Sequence, residues 1–223
     1  MTPMASLIAA CVAFVGSHFL LSHPLRAPLV ARLGARPFLG IYSLVALASL
    51  VWMVIAYRAV PPQAPLWAPP DWGWMLASLV MLFAAILWAG SLVGNPAMPE
   101  AKVTDWAPRG VFAITRHPMM WSFALWAIVH GWMWATPANL VLTASILILA
   151  LGGAAGQDAK KAKLMGANWR GWVARTAFFP FAGRAALGAM WPRWPVVAGG
   201  VLLWLVATWA HGPLGGMAVG LWR

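Results

Sequence analysis

Two histidines stand inside apolar stretches of this chain, His18 near the end of the first and His130 in a later one. An ionisable side chain inside a membrane is costly and marks a functional site by default. Helical spacing of about 100° per residue puts Met119, Phe123, Trp126 and His130 on one stripe, and Cys11, Phe14, Val15 and His18 on another. Each histidine thus ends an apolar or aromatic stripe, the surface that a helix would turn toward a flat macrocycle. Imidazole is a standard axial ligand of haem iron, and helical bundles build cofactor sites from facing side chains. His18 and His130 are therefore the candidate metal ligands, with Phe14, Phe123 and Trp126 as candidate cofactor contacts. The competing reading is that each histidine only hydrogen-bonds a neighbouring helix.

Depth opposes the pairing. His18 lies roughly 6 Å from the inner end of its run, whereas His130, 12 residues beyond Pro118, lies roughly 18 Å deep. Either the first span begins later, or the Arg116-His117-Pro118 segment is sunk into the membrane, or the two histidines do not pair. His117 is the alternative at the depth of His18, with Arg116 beside it. It cannot share a face with His130, because 13 residues turn a helix by about 220°. Pro118 at a first helical position also gives this tripeptide a simpler use as a helix start. His23, before Pro24, reads as solvated, and His211 as the cap of the last span. Asp158 and Glu100 read as lone acids of the inner surface. Cys11, the single cysteine, reads as a small buried residue. Without a thiolate cluster, a His-Glu-x-x-His motif or paired intramembrane carboxylates, the sequence offers no apparatus for hydrolytic zinc chemistry.

The elements that position these residues are membrane helices. Of 223 residues 62% are hydrophobic and 9% charged, against about 25% charged in soluble domains, and the mean hydropathy is +0.77. Residues 1–223 read as one all-α polytopic transmembrane helical bundle. Six spans are predicted near 4–22, 38–59, 73–94, 119–136, 139–156 and 195–212. Thirteen of the 15 Lys and Arg residues flank one side; only Arg58 and Arg223 flank the other. That asymmetry predicts both termini outside the cytoplasm. The net charge of +11 therefore reports topology, with lipid headgroups as its partner, and argues against nucleic acid. Trp67, Trp72, Trp74, Trp132, Trp134, Trp209 and Trp222 are predicted at the outer interface. Trp106, Trp169, Trp172, Trp191 and Trp194 are predicted at the inner one. The first span lacks the basic start and small-residue site of a cleavable signal peptide. Residues 60–70 are proline-rich and predicted extended, and Thr136-Pro137-Ala138-Asn139 makes spans 4 and 5 antiparallel neighbours. Residues 157–176, with Lys160, Lys161, Lys163 and Arg170 among Leu164, Trp169, Trp172 and Val173, suit a cytoplasmic amphipathic helix on the membrane surface.

Several segments together resemble a known family. Ile114-Thr115-Arg116-His117-Pro118-Met119 followed by Leu125-Trp126-Ala127-Ile128-Val129-His130 is similar to the NnrU family of bacterial inner-membrane proteins, related to the plant 15-cis-zeta-carotene isomerases. So are Val15-Gly16-Ser17-His18 with its basic connector and Tyr42-containing span, and Arg175-Thr176-Ala177-Phe178-Phe179-Pro180-Phe181. The resemblance covers essentially the whole chain. It implies a haem b protein whose two ligands match His18 and His130. It also implies a link to nitrite or nitric oxide metabolism or isomerase-like redox chemistry, on nitric oxide or a hydrophobic small molecule. The isomerases carry a cysteine where this chain has Ala127, so no thiolate switching is implied here.

The Arg-His-Pro and Pro-Phe elements also resemble isoprenylcysteine carboxyl and phospholipid methyltransferases. That implies S-adenosylmethionine bound through Arg116, His117 and the 157–176 helix. Adjacent glutamates in those enzymes are replaced here by Gln157-Asp158, and Tyr-x-x-Tyr by Trp169-x-x-Trp172, which puts methyl transfer in doubt. A third reading is a non-enzymatic assembly partner of a respiratory complex.

Overall fold

The structure, a computed structural model, describes residues 1–96 and 107–223. Glu100, Lys102, Asp105 and Trp106 lie outside the described residues. The described chain is helical, without a strand: α1 (Pro3–Ser22), α2 (Arg26–Leu33), α3 (Ala35–Arg58), α4 (Asp71–Ser91), α5 (Val111–Ile114), α6 (Pro118–Met133), α7 (Pro137–Met165), α8 (Ala167–Arg175) and α9 (Trp194–Ala210).

Helix ends follow local chemistry. Thr2 Oγ1 accepts from the Ala5 N–H at 3.2 Å and Pro3 opens α1, a cap plus a residue whose missing N–H costs nothing there. Pro24 stops α1 two residues on, since the residue before proline avoids helical backbone. Gly34, at φ 87°, lets α2 turn into α3. The side chain of Asn139 donates to the carbonyls of His130 and Trp134 at 2.8 and 2.6 Å. It thereby satisfies acceptors that the end of α6 leaves open. We expect Asn139→Ala to cost about 1–2 kcal/mol, read as a lower unfolding temperature, with Asn139→Asp recovering little because it has no N–H to donate.

Four helices, α1, α3, α4 and α7, are long and apolar enough to cross a membrane. The predicted first, second, third and fifth spans correspond to them. The other two predicted spans are apolar helices of 16 and 17 residues, α6 and α9, about 24 and 26 Å long. α6 stops three residues short of its predicted end because the turn into Pro137 needs Trp134, Ala135 and Thr136.

The chain divides into two compact units, Met1–Ala68 with His130–Gly156, and Pro69–Val129 with Gln157–Arg223. In the first, α1 packs along α3 around Leu7, Ala10, Cys11, Phe14, Met53, Ala56 and Ala138, with Val141, Leu142, Ile146 and Leu149 closing the core from α7. Gly152 and Gly156 of α7 sit against the rings of Phe19 and His23, so α1 and α7 run side by side with close backbones. His23, predicted to be solvated, is half-buried. In the second unit, α4 packs along α9. There Gly200 approaches the Ile86 backbone so closely that a Cβ would lie 2.7 Å from the Ile86 Cα.

The predicted surface helix over 157–176 is corrected. α7 continues through Gln157 to Met165, and α8 is a separate element after Gly166 at φ 54°. Trp169 and Trp172 are 1% and 0% exposed, so they are core residues of the second unit, not interfacial anchors. Their rings pack inward, Trp172 edge-on to Phe112 with centroids 6.3 Å apart. Trp191 and Trp194, in contrast, are exposed, as their predicted interfacial place requires.

Candidate functional site

The second unit brings three polar side chains together in its interior. Val111 to Ile114 form one buried turn, after which the chain extends at Thr115. The extended stretch pairs with the Pro-Phe segment: the Arg116 N–H donates to the Ala177 carbonyl at 2.8 Å and the Phe181 N–H to the Ile114 carbonyl at 3.0 Å. Thr115 Oγ1 donates to the Phe178 carbonyl at 2.7 Å, and so does Trp121 Nε1. The two sequence motifs are thus laced to each other by backbone and side-chain hydrogen bonds.

Their polar product is a cluster centred on Asp158, in the polar extension of α7. Arg116 Nη2 and Nε donate to Oδ2 at 2.6 and 2.9 Å, and His117 Nε2 to Oδ1 at 2.9 Å. A carboxylate only accepts, so the network puts a proton on His117 Nε2. The His117 side chain is 0% exposed and that of Asp158 21%. Phe178 covers both bases, 5.4 Å from the Arg116 guanidinium carbon and 5.3 Å from the His117 ring. His117 Nδ1 is buried and has no hydrogen-bond partner among the described residues. Short charge-assisted bonds of this kind are about twice as strong as neutral ones.

Asp158 is the residue that the sequence reading missed. It is no lone surface acid, because an arginine and a histidine both bond to it. Arg116 and His117, read as cofactor contacts, are brought together but turned onto that carboxylate, and His117 presents no exposed atom to a ligand. The expectation of S-adenosylmethionine held by these two side chains receives no support from this arrangement.

His18 belongs to the first unit, on the last turn of α1. Its Nδ1 lies 2.6 Å from the Phe14 carbonyl. The carbonyl accepts, so Nδ1 carries the proton and Nε2 keeps its lone pair; Nε2 has no partner among the described residues. The ring sits 4.5 Å from that of Phe14 and edge-on to Tyr42 at 5.6 Å. Phe14 itself is buried in the helical core and touches His18 from within. His211 makes the same Nδ1 bond, to Ala207 at 2.7 Å, on an exposed helix end. His18 is flanked by the rings of Phe14 and Tyr42.

His18 and His130 belong to the same unit, and contacts with α7 give the level of each. His130 lies beside Asn139, which donates to its carbonyl. Phe19, next to His18, lies on Gly152, and His23 on Gly156. Gly131, next to His130, faces Thr143, nine residues before Gly152, about 14 Å along a helix axis. The two histidines thus stand at different levels along α7. Phe123 and Trp126, in the second unit, are exposed and half-buried respectively. No group of three metal-ligating side chains occurs among the described residues.

Comparison with known proteins gives one match of nearly full length: the family model described as NnrU protein fits residues 6–219. No curated protein and no solved structure matches the chain.

Proposed function

The chain belongs to the NnrU family, and on that premise we propose that it is a haem b-binding protein of the bacterial cytoplasmic membrane with His18 as an axial ligand. The observation that carries this reading is the state of the His18 ring. Its Nδ1–H is held by the Phe14 carbonyl, which leaves Nε2 as the only coordinating atom. Metal-bound histidines are oriented in this way by a second hydrogen bond, which fixes the tautomer and raises ligand basicity. Phe14 and Tyr42 flank the ring. Bound haem would supply one-electron redox chemistry and a place for a diatomic ligand. Nitrite and nitric oxide metabolism, or isomerase-like redox chemistry on a hydrophobic molecule, are the tasks that the family resemblance suggests.

In this reading α6 and α9 complete a six-span topology, with both termini on the periplasmic side as the basic residues favour. Their shortness is met by local bilayer thinning or by flanking tryptophans, at a modest cost.

The test is spectroscopic. Purified protein is expected to show a Soret band, with haem b by pyridine haemochrome. His18→Ala is expected to lose most of that band. Absence of haem from the wild type, or a band indifferent to His18→Ala, would overturn the proposal.

A further inference from the structure

The first unit contains cations but no acidic side chain. Its residues, 1–68 and 130–156, exclude all four acids of the chain, Asp71, Glu100, Asp105 and Asp158. Among its arginines, Arg32, Arg36 and Arg58 are exposed, as solvated charges are, whereas Arg26 is half-buried. The Arg26 guanidinium carbon lies over the Phe38 ring, 5.3 Å from the centroid, and Phe38 is 1% exposed. A ring face attracts the cation yet leaves its fork of N–H donors open. Arg26 makes no ion pair among the described residues.

Phe38 has a second polar neighbour, Tyr42, whose ring lies 6.3 Å from its own. Ser22 Oγ donates to the Tyr42 hydroxyl at 3.4 Å. The phenol O–H is left to donate, and no acceptor for it occurs among the described residues. Tyr42 in turn stands edge-on to the His18 ring at 5.6 Å. His18, Tyr42, Phe38 and Arg26 thus form one continuous row, from the last turn of α1 across the first turns of α3 to the start of α2. One end of the row is an imidazole with a free lone pair at Nε2, the other a cation without an anion, and a hydroxyl donor stands between them. A guanidinium and a phenol O–H together match a carboxylate, which only accepts and which arginine grips with two parallel N–H groups. Such a carboxylate is costly at the edge of an apolar core unless it is paired in this way.

We propose that Arg26 and Tyr42 bind a propionate carboxylate of haem b, an inference that rests on His18 as an axial ligand. Esterifying the propionates removes their charge and leaves iron and ring intact, so the ester separates the two claims. Haem-free full-length protein in neutral detergent is titrated with haem b and, separately, with its dimethyl ester, and the Soret band reports binding. Wild type is expected to bind haem b about tenfold more tightly than the ester, the worth of one charge-assisted hydrogen bond. Arg26→Gln is expected to weaken haem b about tenfold and to leave the ester unchanged. Tyr42→Phe keeps the ring and is expected to weaken haem b alone, about threefold. Arg32→Gln, which removes an exposed charge of α2, is expected to change neither. Equal wild-type affinity for the two ligands, both lost in His18→Ala, would overturn this inference and leave the His18 reading standing. Equal weakening of both ligands in Arg26→Gln would also overturn it, and would make Arg26 a contact for fold or lipid headgroup. A wild type that binds neither ligand would overturn the His18 reading and this inference with it.

Discussion

Asp158→Ala is expected to destabilise the protein by about 3 kcal/mol, the usual penalty for removing one partner of a mostly buried ion pair. The substitution leaves the Arg116 side chain, 11% exposed in the native protein, with no anion. It also leaves the His117 ring, already lacking a partner at Nδ1, without one at Nε2. For a chain of this length such a loss lowers the unfolding temperature by roughly 6–12 °C, readable from the fluorescence of its 17 tryptophans. The cost lies in the stranded charge rather than in the lost attraction. Replacing all three residues together, as Arg116→Met, His117→Leu and Asp158→Leu, is therefore expected to restore most of the stability. A shift below about 2 °C for Asp158→Ala would mean that water already screens the cluster. A triple variant no better than the single one would show that the polar network itself holds the two motifs together.

Gly200→Leu is expected to abolish the native packing of α4 on α9. An added Cβ alone would lie 2.7 Å from the Ile86 Cα and 2.9 Å from its nitrogen, atoms of a helix backbone that cannot rotate aside. Gly200→Ala forces the two helices apart at about 1–3 kcal/mol, the range for overpacking a filled interior. Leucine drives them further and exposes both faces. Small residues permit this approach because helices in lipid associate through close packing, without a hydrophobic drive between them. Gly199, one position away, tolerates a methyl group, since its nearest non-local atom is the Ala89 Cβ at 3.8 Å. Gly199→Ala is thus the matched control. Equal unfolding temperatures for the two alanine variants would contradict the close approach seen at Gly200.

Sequence patterning was informative wherever the cause was local. Pro24, Pro118 and Pro137 placed helix ends within a residue or two, because proline acts on its immediate neighbours. Apolar runs located every long helix for the same reason. The fate of Trp169 and Trp172 was not local. A tryptophan near a membrane surface serves equally as an anchor or as core, and only the partner, here Phe112 for Trp172, decides. Asp158 was legible by a longer argument. Gly131 of α6 faces Thr143 of α7, so the antiparallel register puts His117, 14 residues before Gly131, opposite residue 157. With only four acids in the chain, a carboxylate at that register beside Arg-His is a pairing signal. The same helix records the difference in level between His18 and His130: His130 lies beside its early turns and His18 beside its later ones.

Cys11 lies 4% exposed in the core shared by α1, α3 and α7, and it is the only cysteine of the chain. A thiol so enclosed is inert toward alkylating reagents until the helices around it part. The wild-type protein is therefore a ready background for labelling: a cysteine introduced in any loop reports which side of the membrane it occupies, without interference from the native one. Slow modification of Cys11 itself then times the opening of the first unit, with no probe added.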